Sequence, residues 1–128
     1  MTHAESNFFL EFEVSDPGRL DRLEALVSAL KRAKDPEYQL DLKGADYEQY
    51  LDAHARAWFS RSEAAKSWSF DSAVYMVGQC EYELLGVHQL SARVARIEVS
   101  PGAGPYGGLE SLRVLVEAFG HRVTRMEE

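Results

Sequence analysis

Two segments of this chain carry apolar residues at the same five offsets, and any fold it adopts must bury both sets. Leu20, Leu23, Leu26, Val27 and Leu30 form the first; Leu109, Leu112, Leu115, Val116 and Phe119 form the second. Steps of three and four residues place each set along one side of an α-helix, and that side needs an apolar surface to dock on. Asp16 and Pro17 open the first helix, the carboxylate accepting from first-turn amides and the proline supplying a helical φ without an amide to satisfy. Lys31, Arg32 and Lys34 sit where the helix dipole favours cations, and Pro36 stops the run, so the helix is predicted over 17–34. Gly120 is the stop of the second helix.

Alternation supplies the strands. Phe8, Leu10, Phe12 and Val14 fall on one side of the first strand, and Phe9, Glu11 and Glu13 on the other. Arg93 to Val99 repeats the pattern with Ala95, Ile97 and Val99 inward, and His121 to Met126 reads as a last strand. Ala73 to Leu85 reads as one long strand interrupted by a bulge at Gly78, followed by a loop from Gly86 to Ser91. Between the first helix and that strand, Tyr38, Leu40 and Leu42 alternate as an edge strand or an extended link. Asp46 and Gln49 have the spacing of a capping box that opens a helix to Phe59, and Ser60 with Glu63 repeats it for a short helix ending near Trp68.

The order is β-α-(α)-β-β-α-β in one α+β domain spanning 1–128. The expected architecture has two layers, a mostly antiparallel sheet with helices on one face. Its order is that of the ferredoxin-like split βαβ arrangement, with a helical insertion at about 36–71. The alternative is a two-layer sheet in which 38–42 adds a fifth strand. Glu13-Val14-Ser15 with Pro17-Gly18, and Glu98-Val99-Ser100 with Pro101-Gly102, give the two halves a faint echo. In this architecture Phe9, Glu11, Glu13, Arg96 and Glu98 point to the face without helices, as cross-strand ion pairs or as a polar cleft or dimer face.

At 128 residues the chain is long enough for one core without covalent staples. Its net charge of −7, with no Lys/Arg cluster, disfavours nucleic acid and anionic membranes, because phosphate contacts supply most non-specific affinity. Cys80 is the single cysteine, so an internal disulfide is ruled out and a reducing, cytoplasmic setting fits. The start of the chain lacks the blocks of a signal peptide, and the longest uncharged apolar run, Ser72–Cys80, is far too short to span a bilayer.

The most specific local feature is Gly102-Ala103-Gly104-Pro105-Tyr106-Gly107-Gly108, which fits G-x-G-x-x-G between a strand and a helix. Gly102, Gly104, Tyr106, Gly107 and Gly108 are the candidate ligand or anion contacts, since free amides at a helix start attract anions and glycine lets a ligand approach. The match to a dinucleotide fingerprint is poor: it comes near the chain's end, and Pro105 removes an amide. The plain alternative is a connecting loop. His3, His54, His88 and His121 include no pair at helical metal spacing, and no metal or cofactor is expected. Glu81 and Glu83, like Glu11 and Glu13, share a strand face. Cys80 reads as a small hydrophobe, and Trp58, Phe59 and Trp68 as anchors of the insertion.

Three functions compete on these residues. The first is a non-enzymatic binding module that self-associates through its sheet, with a protein partner or small anionic ligand. The second is a small enzyme whose pocket joins the 102–108 turn to Tyr106, Glu81 or His88. The third is an acidic inhibitor or immunity-type protein masking a basic partner.

Overall fold

The computed structural model describes residues 8–35, 38–61, 67–101 and 108–128. Four strands, β1 (Phe8–Glu13), β2 (Tyr82–Gln89), β3 (Val94–Pro101) and β4 (Arg122–Glu127), form one open sheet in the order β2-β3-β1-β4, every neighbouring pair antiparallel. Among the described residues four α-helices accompany it: α1 (Pro17–Ala33), α2 (Ala53–Arg61), α3 (Phe70–Gln79) and α4 (Glu110–Ala118), with a 3-10 segment at Gly44–Tyr50. The fold belongs to the two-layer α+β class.

The two helical stripes meet as the sequence requires. Leu23 and Leu112 are both fully buried, in one cluster with Leu10 and Phe12 of β1, Ala95, Ile97 and Val99 of β3, and Tyr82 and Leu84 of β2. Asp16 Oδ1 caps α1, accepting from Gly18 N at 2.8 Å and Arg19 N at 3.2 Å. α1 packs on β2 and α4 on β4 and β1, while the 3-10 segment, α2 and α3 rest against α1 and α4.

Residues 70–79 depart from expectation: they form α3, and the long strand predicted from Ala73 begins only at Tyr82. A run of Ala-Val-Tyr-Met-Val suits a buried strand or a helix equally by hydropathy, and the ends decide. Ser69 and Ser72 exchange side-chain and backbone hydrogen bonds at 3.0 and 2.8 Å, a capping box built from two serines. Phe70, Ala73, Val74 and Val77 then fall on one buried side. Gly78 is therefore no bulge. It is the point where the extended link crosses α3: Leu40 N donates to Gly78 O at 3.0 Å, and Gln79 Nε2 donates to Leu40 O at 3.0 Å. Residues 38–42 are this link and add no strand to the sheet.

Two other boundaries moved. The helix expected from Asp46 to Phe59 is split at Leu51 and Asp52, whose Oδ1 accepts from Ala55 N at 2.8 Å and starts α2 afresh. The loop expected at 86–91 is mostly strand, since β2 continues to Gln89. Pairing shifts between Leu84 and Gly86 in β2, and again opposite Glu11 and Phe12, where β4 carries the extra residue. The short helix expected from Ser60 to Trp68 lies largely outside the described residues.

A Cβ at position 78 would lie 2.5 Å from Leu40 O and 2.7 Å from Leu42 Cγ. Overpacking of this kind costs about 1–3 kcal/mol. Alanine's helix advantage over glycine returns at most about 1 kcal/mol. Gly78→Ala should therefore be net destabilising, seen as a lower urea midpoint with an unchanged slope.

Candidate functional site

Of the glycine-rich candidates, Gly108 is described, and Gly102, Gly104, Tyr106 and Gly107 lie outside the described residues. Gly108 has φ +86, and its carbonyl accepts from Cys80 Sγ at 3.9 Å. That contact leads into a buried polar cluster built from four separate elements.

Lys34 follows α1, Cys80 follows α3, Tyr82 begins β2 and Ser111 lies in the first turn of α4. Lys34 is 9% exposed; its Nζ donates to Cys80 O and stands 4.5 Å from the centroid of the Tyr82 ring. Burial pulls the Lys34 amine below the usual lysine range, partly opposed by Cys80, Asp35 and Glu81. Burial pushes the Cys80 thiol up, against the neighbouring Lys34, and keeps the Tyr82 phenol un-ionised. Chemically the cluster is a closure. An ammonium on the carbonyl of Cys80, the residue that caps α3, sits at the negative end of that helix, and the aromatic face supplies the rest of its solvation. A protonated thiol is a weak nucleophile. Glu81 is within electrostatic range of Lys34. His88 is not near this end: it pairs with Arg96, whereas Tyr82 pairs with Pro101, and six residues of strand separate them by about 20 Å.

The second arrangement is the sheet face that carries no described helix. Arg96 Nε donates to Glu11 Oε1 at 2.9 Å, with both side chains partly buried. The Arg96 guanidinium lies 3.9 Å from the centroid of the Phe9 ring and that of Arg125 lies 5.1 Å from it. Phe9 is half-buried yet stands apart from the core cluster, so its ring faces outward between two cations. Arg122 reaches Glu13 at 3.5 Å and Arg125 reaches Glu127 at 3.3 Å. Comparison with protein-family models, curated proteins and solved structures finds no match for the chain. Its chemistry therefore has to be argued from these side chains alone. The sequence placed Phe9, Glu11, Glu13 and Arg96 on this face; Arg125 was missed because a bulge shifts the alternation of β4.

No group of three or more His, Cys, Asp or Glu side chains suited to a metal occurs among the described residues. Glu83 is exposed on β2, as is His54 on α2; Trp58, Phe59 and Trp68 pack partly against the core. His121 is 3% exposed and stacks at 5.4 Å on Phe12. Its Nδ1 accepts from Ser15 N at 3.1 Å, which puts the proton of the neutral ring on Nε2. Burial holds His121 below the usual histidine range; the Arg19 backbone opposes this and the Arg19 charge adds to it.

Below about pH 6.5 the unfolded chain takes up a proton at this histidine before the folded chain does. Stability should therefore fall as pH drops from 7.5 to 5.5. In His121→Asn, which retains an acceptor for Ser15 N, the difference in urea midpoint between those pH values should shrink.

Proposed function

We propose that this chain is a non-enzymatic binding module that self-associates through the open face of its sheet. The observation that carries the reading is the Phe9 ring held outward between Arg96 and Arg125, on a face that no described helix covers. A two-fold contact sets a surface against itself, so the surface must carry both charges. This one does: Arg96, Arg122 and Arg125 alternate with Glu11, Glu13 and Glu127 in a chain whose net charge is −7. Turned against its own copy, each arginine can meet a carboxylate, and the aromatic rings fill the centre, where interface energy concentrates.

Size is adequate. Four strands about 4.8 Å apart, each roughly 20–26 Å long, make a face about 19 Å wide. That is a flat area of roughly 400–500 Å², which the relief of its side chains raises toward the ~800 Å² per partner found in stable complexes. The strand order and the two strand-helix-strand crossings also support the finer fold assignment, the ferredoxin-like split βαβ arrangement, in which one sheet face is left for such use. The chain contains no described helix long and apolar enough to cross a membrane. Lone Cys80, kept as a thiol by burial, suits a reducing compartment and supports a cytoplasmic setting for this role.

Sedimentation equilibrium tests this. The wild-type chain should be a dimer at micromolar concentration, and Phe9→Asp should raise the dissociation constant at least about thirtyfold. A wild-type monomer at millimolar concentration, or a Phe9→Asp dimer of undiminished affinity, overturns the reading.

A further inference from the structure

The helical side of the molecule holds a separate concavity of about 480 Å³, lined by Ala53, His54, Ala57, Trp58 and Arg61 along one side of α2. Small-molecule sites occupy about 300–1,000 Å³. With two alanines on the wall, the Trp58 indole is the broad flat surface. Its ring stands near-perpendicular to that of Phe59, 5.1 Å away, and Phe59 in turn leans on the buried Phe70 at 5.9 Å. A planar apolar body can lie on such a ring without displacing anything from the core.

The polar groups gathered here are basic, against the sign of the whole chain. His54 Nδ1 donates to Ala118 O at 3.2 Å, which fixes the ring against the end of α4. Arg19 of α1 comes in beside it. Arg19 Nη1 lies 3.0 Å, and His54 Cε1 3.1 Å, from the point where a Cβ of residue 120 would stand. Residue 120 is glycine with φ +90, so the two heads share space that any side chain would fill. Neither Arg19 nor Arg61 makes an ion pair with a described residue, unlike Arg56 of α2 and Arg113 of α4. The Arg61 guanidinium and the Trp58 indole line the cavity, and the Arg19 guanidinium stands beside it at His54; two cations free of ion pairs among the described residues and one aromatic ring suit a single kind of molecule.

We propose that this concavity binds a small aromatic carboxylate, its ring on Trp58 and its carboxylate held by Arg61, with Arg19 in reach from beside His54. The planar fork of arginine matches a carboxylate in two parallel hydrogen bonds, which gives orientation as well as affinity. The site lies on α1, α2 and Gly120, away from the sheet face, and does not depend on self-association.

Amide NMR titration decides it, with benzoate as the probe and benzylamine as the ring of opposite charge. Benzoate should shift the signals of Ala53–Arg61 and Gly120 saturably, and benzylamine should leave them in place. Arg19→Gln and Arg61→Gln should each weaken benzoate binding about tenfold or more, while Lys43→Gln and Phe9→Asp leave it unchanged. If Arg19→Gln loses native signal dispersion, the exposed Arg61→Gln decides alone. Absence of saturation at millimolar benzoate, an equal response to benzylamine, or full affinity in Arg61→Gln overturns the proposal.

Discussion

The burial of a single sheet face beneath two helical stripes governs everything else in this molecule. Leu10, Phe12, Ala95, Ile97 and Val99 form an apolar floor, and α1 and α4 lay Leu23, Leu26, Leu30, Leu112, Leu115 and Val116 on it. At about 25 cal/mol per Å² of apolar surface, a contact of this extent outweighs any single polar interaction in the fold. It also assigns sides. With one face committed to the core, Phe9, Glu11, Arg96 and Arg125 have only the opposite face to occupy, and the inserted elements have only the outer surfaces of α1 and α4 to pack on.

Polar closures then work at the margins of that core. Lys34 sits just past the end of α1 yet gives its ammonium to the carbonyl that ends α3, so one side chain couples two helix termini through a ring at the start of β2. Asp71, in the first turn of α3, accepts from Gly44 N at 2.7 Å and holds the 3-10 segment against that helix. Such contacts contribute little to net stability by themselves. Their effect is positional, because an unpaired buried donor is costly and other arrangements of the insertion would leave several.

How far the sequence revealed this depends on how local each signal was. β1, α1, β3 and α4 follow from repeats of two or of three and four residues, and the inward and outward sides of β1 and β3 follow with them. α3 escaped because its apolar residues are consecutive, and its opening box uses serine where glutamate or glutamine is the familiar partner. The Lys34 cluster joins residues 34, 80, 82 and 111, brought together only by the folded sheet, so a pass along the chain meets an ordinary helix-end lysine and an ordinary apolar cysteine. The basic grouping around Trp58 was hidden for the same reason. Arg19 and His54 are 35 positions apart and meet only because residue 120 has no side chain.

The two outermost strands each break register with their neighbour, β2 at Leu84 and Gly86, and β4 opposite Glu11 and Phe12. An irregular rim twists away from the straight ladder that an incoming strand from another molecule would need. The sheet is thereby protected at its borders against ribbon-like growth into fibres.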